Sequence, residues 1–153
     1  MELLNLMRSR KSIRTYANKY ILQEHLNIIL EAASLAPTSH NRKPCKYIAV
    51  TDRSILDRLS RVKTANAIFT SQAGAAIVVA ADSEISDIWI EDSSIALTYM
   101  LLAAEALGLG CCWVQIRLRF TEDGVSAEER VREILGLPKR FRIVGFITIG
   151  VKT

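Results

Sequence analysis

Two short segments of the chain carry residue types that bind anionic and polar ligands. The first, RKSIR at residues 10–14, places two arginines, a lysine and a serine within five positions. Arginine presents a planar fork of donors that matches phosphate oxygens, and a serine hydroxyl adds one more donor. In an extended chain Arg10, Ser12 and Arg14 point to the same side, because side chains alternate with a period of two. The segment is therefore a candidate phosphate site, although a solvated basic stretch after a helix explains the same residues.

The second segment, APTSHNRKPC at residues 36–45, joins a helical pattern to a strand pattern. It is more polar than a connection between two buried elements needs to be. Pro37 and Pro44 stiffen it at both ends. Thr38, Ser39 and Asn41 have short polar side chains that bond either a ligand or the turn backbone. Taken alone, satisfaction of the turn is the simpler explanation.

Length and composition bound the possibilities. The 153 residues suit a single domain, residues 1–153, and half of them are apolar, which is enough for a sizeable core. Three cysteines are too few and too odd in number for a disulfide framework, and two histidines leave no metal-ligand cluster, so we predict no metal. The N-terminus MELLNLMRSRK lacks the long apolar run of a signal peptide, so a cytoplasmic location is expected.

The net charge of +4 suits an anionic ligand and, in principle, nucleic acid. Nucleic-acid binding is disfavoured, because no aromatic residues that would stack on bases are interleaved with the basic ones. Residues 95–116 are long and apolar enough to suggest a membrane span. Glu105 lies inside this stretch, and Gly108 and Gly110 divide it into a helical part and a strand-like part. We therefore predict a buried central helix and no membrane association.

Hydrophobic periodicity predicts helices and strands that alternate along the chain. The predicted helices cover residues 2–8, 23–35, a segment after Asp52 that holds Leu56 and Leu59, 64–72, 92–107 and 126–135. The predicted strands cover residues 47–51, 75–81, 111–116 and 143–149. We expect at least four strands in one sheet covered by helices, with the apolar run AAIVVAA as a central strand.

Individual residues should end or begin these elements. Asp52 should cap the helix that follows it, and Ser126 should form a capping box with Glu129. Glu91 and Asp92 should cap the long helix at residues 92–107. Gly108 should end that helix, while Gly110 is suited to the close approach of a ligand to the backbone.

Three stretches together resemble one family in order and spacing. They read RKSIRTY, ILEAASLAPTSHNRKPCKYIAV and EDSSIALTYMLLAAEALGLGCCWV, and the chain closes with ILGLPKRFRIVGFITIG. FMN-dependent nitroreductase-like proteins carry R-R-S-x-R, ILEAA-x-x-APS-S-x-N-x-QPW and LLAAEALGLGSCW at corresponding places. The resemblance covers nearly the whole chain. It implies an α+β fold in α/β/α layers, with a mixed, mainly antiparallel sheet flanked by helices and a long buried central helix.

The resemblance also implies which residues bind FMN. The phosphate and ribityl chain would be held by Arg10, Lys11, Ser12 and Arg14. The flavin ring would be lined by Pro37, Thr38, Ser39 and Asn41. Further cofactor contacts would come from Val114, Gln115 and Lys152. No catalytic residue of the chain itself is implied, because the flavin carries the chemistry.

By the same resemblance the protein is an FMN-dependent oxidoreductase of ping-pong type. NADH or NADPH would deliver hydride to the flavin N5, and a nitroaromatic, a quinone or a related acceptor would then take the electrons. In this family the site lies between two subunits, which implies a homodimer with FMN at the interface. The apolar central helix would then form half of that interface.

The chain departs from the family pattern in places, and other functions fit parts of it. Lys43-Pro44-Cys45 replaces Gln-Pro-Trp, Cys111 replaces the usual serine, and residues 82–91 are compact where many members carry an insertion over the substrate. A non-catalytic carrier or sensor of FMN or another phosphate ligand is one alternative. A nucleophilic Cys45 or Cys111 is another, with His40 as the nearby base for Cys45, but most Cys-His sites are not built from such local pairs.

Overall fold

The computed structural model describes residues 2–153, in which five helices and six strands alternate along the chain. The helices are α1 (Leu3–Ser9), α2 (Gln23–Ser34), α3 (Arg53–Leu59), α4 (Trp89–Ala106) and α5 (Ala127–Leu135). The strands are β1 (Tyr16–Ala17), β2 (Cys45–Val50), β3 (Ala75–Asp82), β4 (Leu109–Gln115), β5 (Phe141–Arg142) and β6 (Gly145–Lys152). Single 3₁₀ turns occur at Ser39–Asn41 and Ile68–Gln72.

The strands form one sheet around β6, and every pairing between them is antiparallel. β4 pairs with β6 along one edge, while β3 and the short β1 pair with its other edge. β2 and β5 extend the sheet beyond β3. An isolated parallel bridge joins Ser12 to Cys111, so residues 10–14 run along the free edge of β4. The predicted, mainly antiparallel sheet is confirmed, and its parallel component is the bridge between Ser12 and Cys111.

Both faces of the sheet are covered, which gives the predicted α/β/α layers. All eight residues of β3 are buried, and they alternate between two cores. On one face Val78 packs in a cluster with residues of α3 and α5. On the other face Ile77 and Val79 pack in a cluster with residues of α2 and α4. A strand buried on both faces needs apolar residues at every position, which explains the uninterrupted run AAIVVAA.

The long helix α4 is buried on one side only. It begins at Trp89, and its N-cap is Ile88, so the prediction that Glu91 and Asp92 cap its start is wrong. Ala96, Leu97, Met100 and Ala104 face the sheet, whereas Tyr99 is 38% exposed. No helix within residues 2–153 is long and apolar enough to cross a membrane.

A carboxylate joins α5 to the sheet. Glu128 is buried and accepts two hydrogen bonds from Arg142, Nε to Oε1 and Nη2 to Oε2, both at 3.0 Å. The main-chain N–H of Ile143 donates to the same carboxylate at 2.8 Å. The hydrogen bonds to Glu128 raise the pKa of Arg142, whose guanidinium lies 4.7 Å from the centre of the Trp89 ring. Glu128 therefore connects α5, β5 and the first turn of α4.

Several local predictions can be compared with the observed elements. Asp52 caps α3, because its carboxylate accepts hydrogen bonds from the N–H groups of Ser54 and Ile55. The capping box of Ser126 with Glu129 is wrong, since the Ser126 side chain makes no capping bond. The main chain of Ser126 instead forms an isolated bridge with Phe120. Residues 64–72 contain only the 3₁₀ turn, and the last strand begins at Gly145 and not at residue 143.

Candidate functional site

The basic segment at residues 10–14 packs closely against the sheet, and two glycines leave the space for it. The Ile13 N–H donates to the Cys111 carbonyl at 3.0 Å. A side chain at Gly110 would meet Cγ2 of Ile13 at 2.8 Å, and the Tyr16 ring occupies the space that a side chain at Gly150 would need. The space beside Gly110, which we predicted would admit a ligand, is occupied by the Ile13 side chain.

Tyr16 fixes the far end of this segment. Its hydroxyl donates to the Ile13 carbonyl at 2.6 Å and shares a second hydrogen bond with Thr148 Oγ1 at 2.6 Å. Burial raises the pKa of the Tyr16 phenol, so the hydroxyl stays protonated and can act as a donor at neutral pH. The turn between the segment and β1 is thus closed by a partly buried hydrogen bond, and a buried one joins Tyr16 to β6.

The cations of the segment are available for an anion. Within residues 2–153, Arg10, Lys11 and Arg14 form no ion pair with a carboxylate. The Arg14 guanidinium lies 5.9 Å from the centre of the Phe69 ring. Burial raises the pKa of the neighbouring Cys112 thiol, although nearby arginines and a hydrogen bond with Ser12 oppose the rise. The thiol is therefore neutral and does not compensate the positive charge.

Lys152 lies close to the start of the same segment but has a carboxylate partner. Its Nζ donates to Oε2 of Glu105 at 3.0 Å, and Ser9 Oγ donates to Oε1 at 3.1 Å. The Glu105 side chain is only 9% exposed, so this ion pair is shielded on one side. Lys152 thus shares Glu105 with Ser9, which directly precedes the basic segment, and its charge is paired with that carboxylate.

The second candidate segment, residues 36–45, has an unusual backbone. His40, Asn41 and Lys43 adopt left-handed conformations with φ of 51°, 53° and 49°. Non-glycine residues rarely do so, because their side chains crowd the backbone. Within the segment, Thr38 Oγ1 accepts a hydrogen bond from the Lys43 N–H at 3.1 Å.

A buried carboxylate of α4 is hydrogen-bonded to the main chain of this segment. Asp92 Oδ1 accepts a hydrogen bond from the Ser39 N–H at 3.0 Å. Its Oδ2 accepts a second one from Ser86 Oγ at 2.8 Å. The Asp92 residue is only 1% exposed. The Asn41 side chain above is exposed, and those of Thr38 and Ser39 are half-buried.

The two candidate segments lie at opposite ends of α4. Ser39 is bonded to Asp92 near the start of the helix, and Ser9, next to the basic segment, is bonded to Glu105 in its last turn. At 1.5 Å of rise per residue these two positions on the helix are separated by about 20 Å. The structure therefore brings Arg10 to Arg14 and Lys152 together but keeps Pro37 to Asn41 apart from them within one chain.

Comparison with known proteins identifies the family to which this chain belongs. The model of the Nitroreductase family matches residues 7–72 and 58–151. The chain belongs to the nitroreductase family.

Relatives of this chain match over most of their length. An Archaeoglobus fulgidus protein, named as a candidate NADH dehydrogenase/NAD(P)H nitroreductase, is 37% identical over 97% of this chain and 84% of its own. An FMN-dependent nitroreductase from Clostridium difficile R20291 is 39% identical, with a TM-score of 0.95 over 97% of this chain and 87% of its own. A candidate nitroreductase solved in complex with FMN, from Desulfovibrio desulfuricans, has a TM-score of 0.81 and 27% identity over 98% and 86% of the two chains.

The side chains of two predicted cofactor residues make contacts within the chain itself. The Val114 side chain is buried in the core. The Gln115 side chain accepts a hydrogen bond from Trp113 Nε1 at 2.9 Å and donates one to the Arg117 carbonyl at 3.0 Å. A ligand contact at these positions would involve the main chain of Val114 or a rearranged Gln115.

The cysteines are poor nucleophiles. Burial raises the pKa of the Cys45 thiol to about 11, and the thiol lies 3.7 Å from Ser93 Oγ. Burial also raises the pKa of Cys111, which lies in the core. Both thiols are protonated at neutral pH, and it is the thiolate that attacks. The alternative of a nucleophilic cysteine enzyme is therefore disfavoured.

Three residues near the candidate segments were missed by the sequence reasoning. The sequence indicates Asp92 only as a helix cap, and it does not indicate which residues bond to Glu105. Lys63 borders a cavity of about 650 Å³ that is also lined by Thr64, Asn66, Thr121 and Arg130. Burial and the charge of Arg119 lower the pKa of Lys63. These contacts join residues far apart in the chain, so no local pattern marks them.

Proposed function

We propose that this nitroreductase is an FMN-dependent NAD(P)H oxidoreductase in which residues 10–14 bind the FMN phosphate. The observation that carries the proposal is the cluster of Arg10, Lys11 and Arg14 on an anchored sheet edge. None of these three cations pairs with a carboxylate within residues 2–153. Ser12 adds a hydroxyl donor to the same edge. Such a donor set fits a phosphate dianion.

When bound, FMN supplies the redox chemistry, taking hydride from NADH or NADPH and passing electrons to a nitroaromatic, a quinone or a related acceptor in a ping-pong cycle. The chain supplies position and charge. Arg10, Lys11 and Ser12 would hold the phosphate and ribityl chain. Arg14 would place a positive charge at the pyrimidine edge of the ring, where negative charge develops. Lys152 would join the phosphate site if its ion pair with Glu105 opened.

We infer a homodimer with FMN at the subunit interface. Within one chain the ring-lining candidates Pro37 to Asn41 lie at the opposite end of α4 from the phosphate candidates. A two-fold axis that packs two α4 helices antiparallel would bring the segment of one subunit to the basic residues of the other. The exposed apolar side chains of Leu3, Leu4 and Met7 on α1 and Tyr99 on α4 are suited to cover such a contact. A cytoplasmic location remains our expectation.

A titration of flavin-free protein with FMN tests the phosphate site. We expect Arg10→Ala to raise the Kd for FMN by about tenfold or more, since one hydrogen bond to a charged group contributes ~1.5–3 kcal/mol. Arg58→Ala is the matched control, because it removes an exposed cation from α3. Failure of the wild-type protein to bind FMN, or an equal effect of both substitutions, would contradict the proposal.

Anaerobic addition of NADH and then NADPH to the FMN complex tests turnover. We expect the flavin absorbance to bleach with at least one nucleotide and to return when a quinone or a nitroaromatic is added. Flavin bands that persist with both nucleotides would instead indicate a carrier or sensor of FMN.

A further inference from the structure

The segment that carries the ring-lining candidates is held in a conformation that its own residues do not favour. His40, Asn41 and Lys43 are all in the left-handed region, which is uncommon for any residue other than glycine and which asparagine and histidine adopt more often than lysine. Strained backbone of this kind persists only where surrounding contacts determine it. Contacts must therefore hold the segment in this conformation.

Besides the Thr38–Lys43 bond within it, the segment is held by a carboxylate in the first turns of α4. Asp92 accepts the Ser39 N–H at 3.0 Å, directly before the first left-handed residue. Ser86 Oγ, also buried, donates to the other oxygen at 2.8 Å and thereby orients the carboxylate. Asp92 does not act as the cap of α4, because the N-cap is Ile88. Asp92 is almost completely buried and is bonded to the Ser39 N–H, so we infer that its role is to hold this loop.

We propose that Asp92 is the positioning residue for residues 38–43, holding this strained segment in the shape that contacts the flavin ring. Asp92 lies beneath the segment, whose exposed face carries Asn41. Its effect on FMN is therefore transmitted through the Ser39 main chain. The proposal rests on the function proposed above, since it assumes that FMN is the ligand.

Three variants separate positioning from mere stability. Asp92→Ala removes both hydrogen bonds. Asp92→Asn keeps an oxygen for the Ser39 N–H and offers an amide donor to Ser86 Oγ, so it loses the charge but can retain the geometry. Glu91→Ala is the matched control, because it removes an exposed carboxylate from the same turn of α4.

The first measurement is amide hydrogen exchange of residues 38–43 in the flavin-free protein, which does not depend on FMN chemistry. We expect exchange at Ser39 to become at least about tenfold faster in Asp92→Ala, while Asp92→Asn and Glu91→Ala resemble wild type. The second measurement is the Kd for FMN, which we expect to rise by about tenfold in Asp92→Ala only. Circular dichroism confirms that each variant is folded.

The outcomes distinguish the two proposals. If wild type fails to bind FMN, the proposed function fails, whatever the exchange data show. If wild type binds FMN but Asp92→Ala has unchanged exchange and unchanged Kd, the positioning role is refuted. An Asp92→Asn variant as defective as Asp92→Ala also refutes it, since charge and not the loop bond would then matter. Should Asp92→Ala not fold, Ser86→Ala decides: a Kd equal to that of wild type overturns the proposal, and a rise of about threefold supports it.

Discussion

Replacing Glu128 with glutamine should loosen the attachment of α5 to the sheet. The carboxylate accepts three hydrogen bonds, two from the Arg142 guanidinium and one from the Ile143 N–H. A glutamine amide has one oxygen, so it can keep the Ile143 bond and at most part of the Arg142 pair. Its NH₂ group would face a guanidinium donor, which leaves that donor unsatisfied.

The structure sets the expected magnitude for Glu128→Gln. Removing one partner of a buried ion pair typically costs ~3–5 kcal/mol, because the remaining charge is left uncompensated. Here the Arg142 side chain is 38% exposed, so water can solvate part of its charge. We therefore expect a loss of about 2–3 kcal/mol in the free energy of unfolding. For a chain of this length that corresponds to a fall in Tm of roughly 5–10 °C.

Urea unfolding of the flavin-free protein, followed by circular dichroism, measures this loss. Glu129→Gln is the control, because Glu129 is the exposed neighbour of Glu128 in the first turn of α5. Both substitutions change the net charge equally. Equal midpoints for the two variants would refute the reasoning, since the effect would then come from charge alone and not from the buried contacts.

Two further predictions concern packing and pH. Gly150→Ala should displace the Tyr16 ring and lower the free energy of unfolding by about 2–3 kcal/mol. It should also weaken FMN binding, because residues 10–14 would move. An unchanged urea midpoint would show that the Tyr16 ring does not need the space beside Gly150. Stability should also fall as pH rises from about 9 to 11, because burial raises the pKa of Cys45 to about 11 from an ordinary value of 9.0. The folded state then binds more protons than the unfolded state across that window, so raising the pH favours unfolding. Urea midpoints at pH 8, 9.5 and 10.5 that stay constant would argue against buried protonated thiols.

Much of the fold could be read from local sequence. The run AAIVVAA predicted β3 because a strand buried on both faces must be apolar throughout. Asp52 was correctly assigned as a cap because capping depends on residues only two or three positions away. The same local reasoning wrongly predicted a capping box of Ser126 with Glu129. The main chain of Ser126 forms a bridge with Phe120, and the carboxylate buried at this end of α5 is that of Glu128.

The candidate site was less predictable, because its geometry depends on contacts between distant residues. The sequence indicated that Arg10, Ser12 and Arg14 form a basic cluster, but not that Gly110 and Gly150 make room for its anchors. Asp92 and Ser39 are 53 positions apart, so their hydrogen bond has no sequence signature. Gln115 stays a cofactor candidate, but no local pattern indicated that its side chain is bonded to Trp113 and to the Arg117 carbonyl.

The separation of the two candidate segments along α4 has a thermodynamic consequence. If each FMN site draws on both subunits of the proposed dimer, flavin binding and subunit association share one free energy, and each must strengthen the other. Dilution would then release flavin as well as separate subunits, and the apparent affinity for FMN would rise with protein concentration. Specific activity per chain would fall in dilute assays and recover with excess FMN. The length of one helix would thus make the enzyme sensitive to its own abundance.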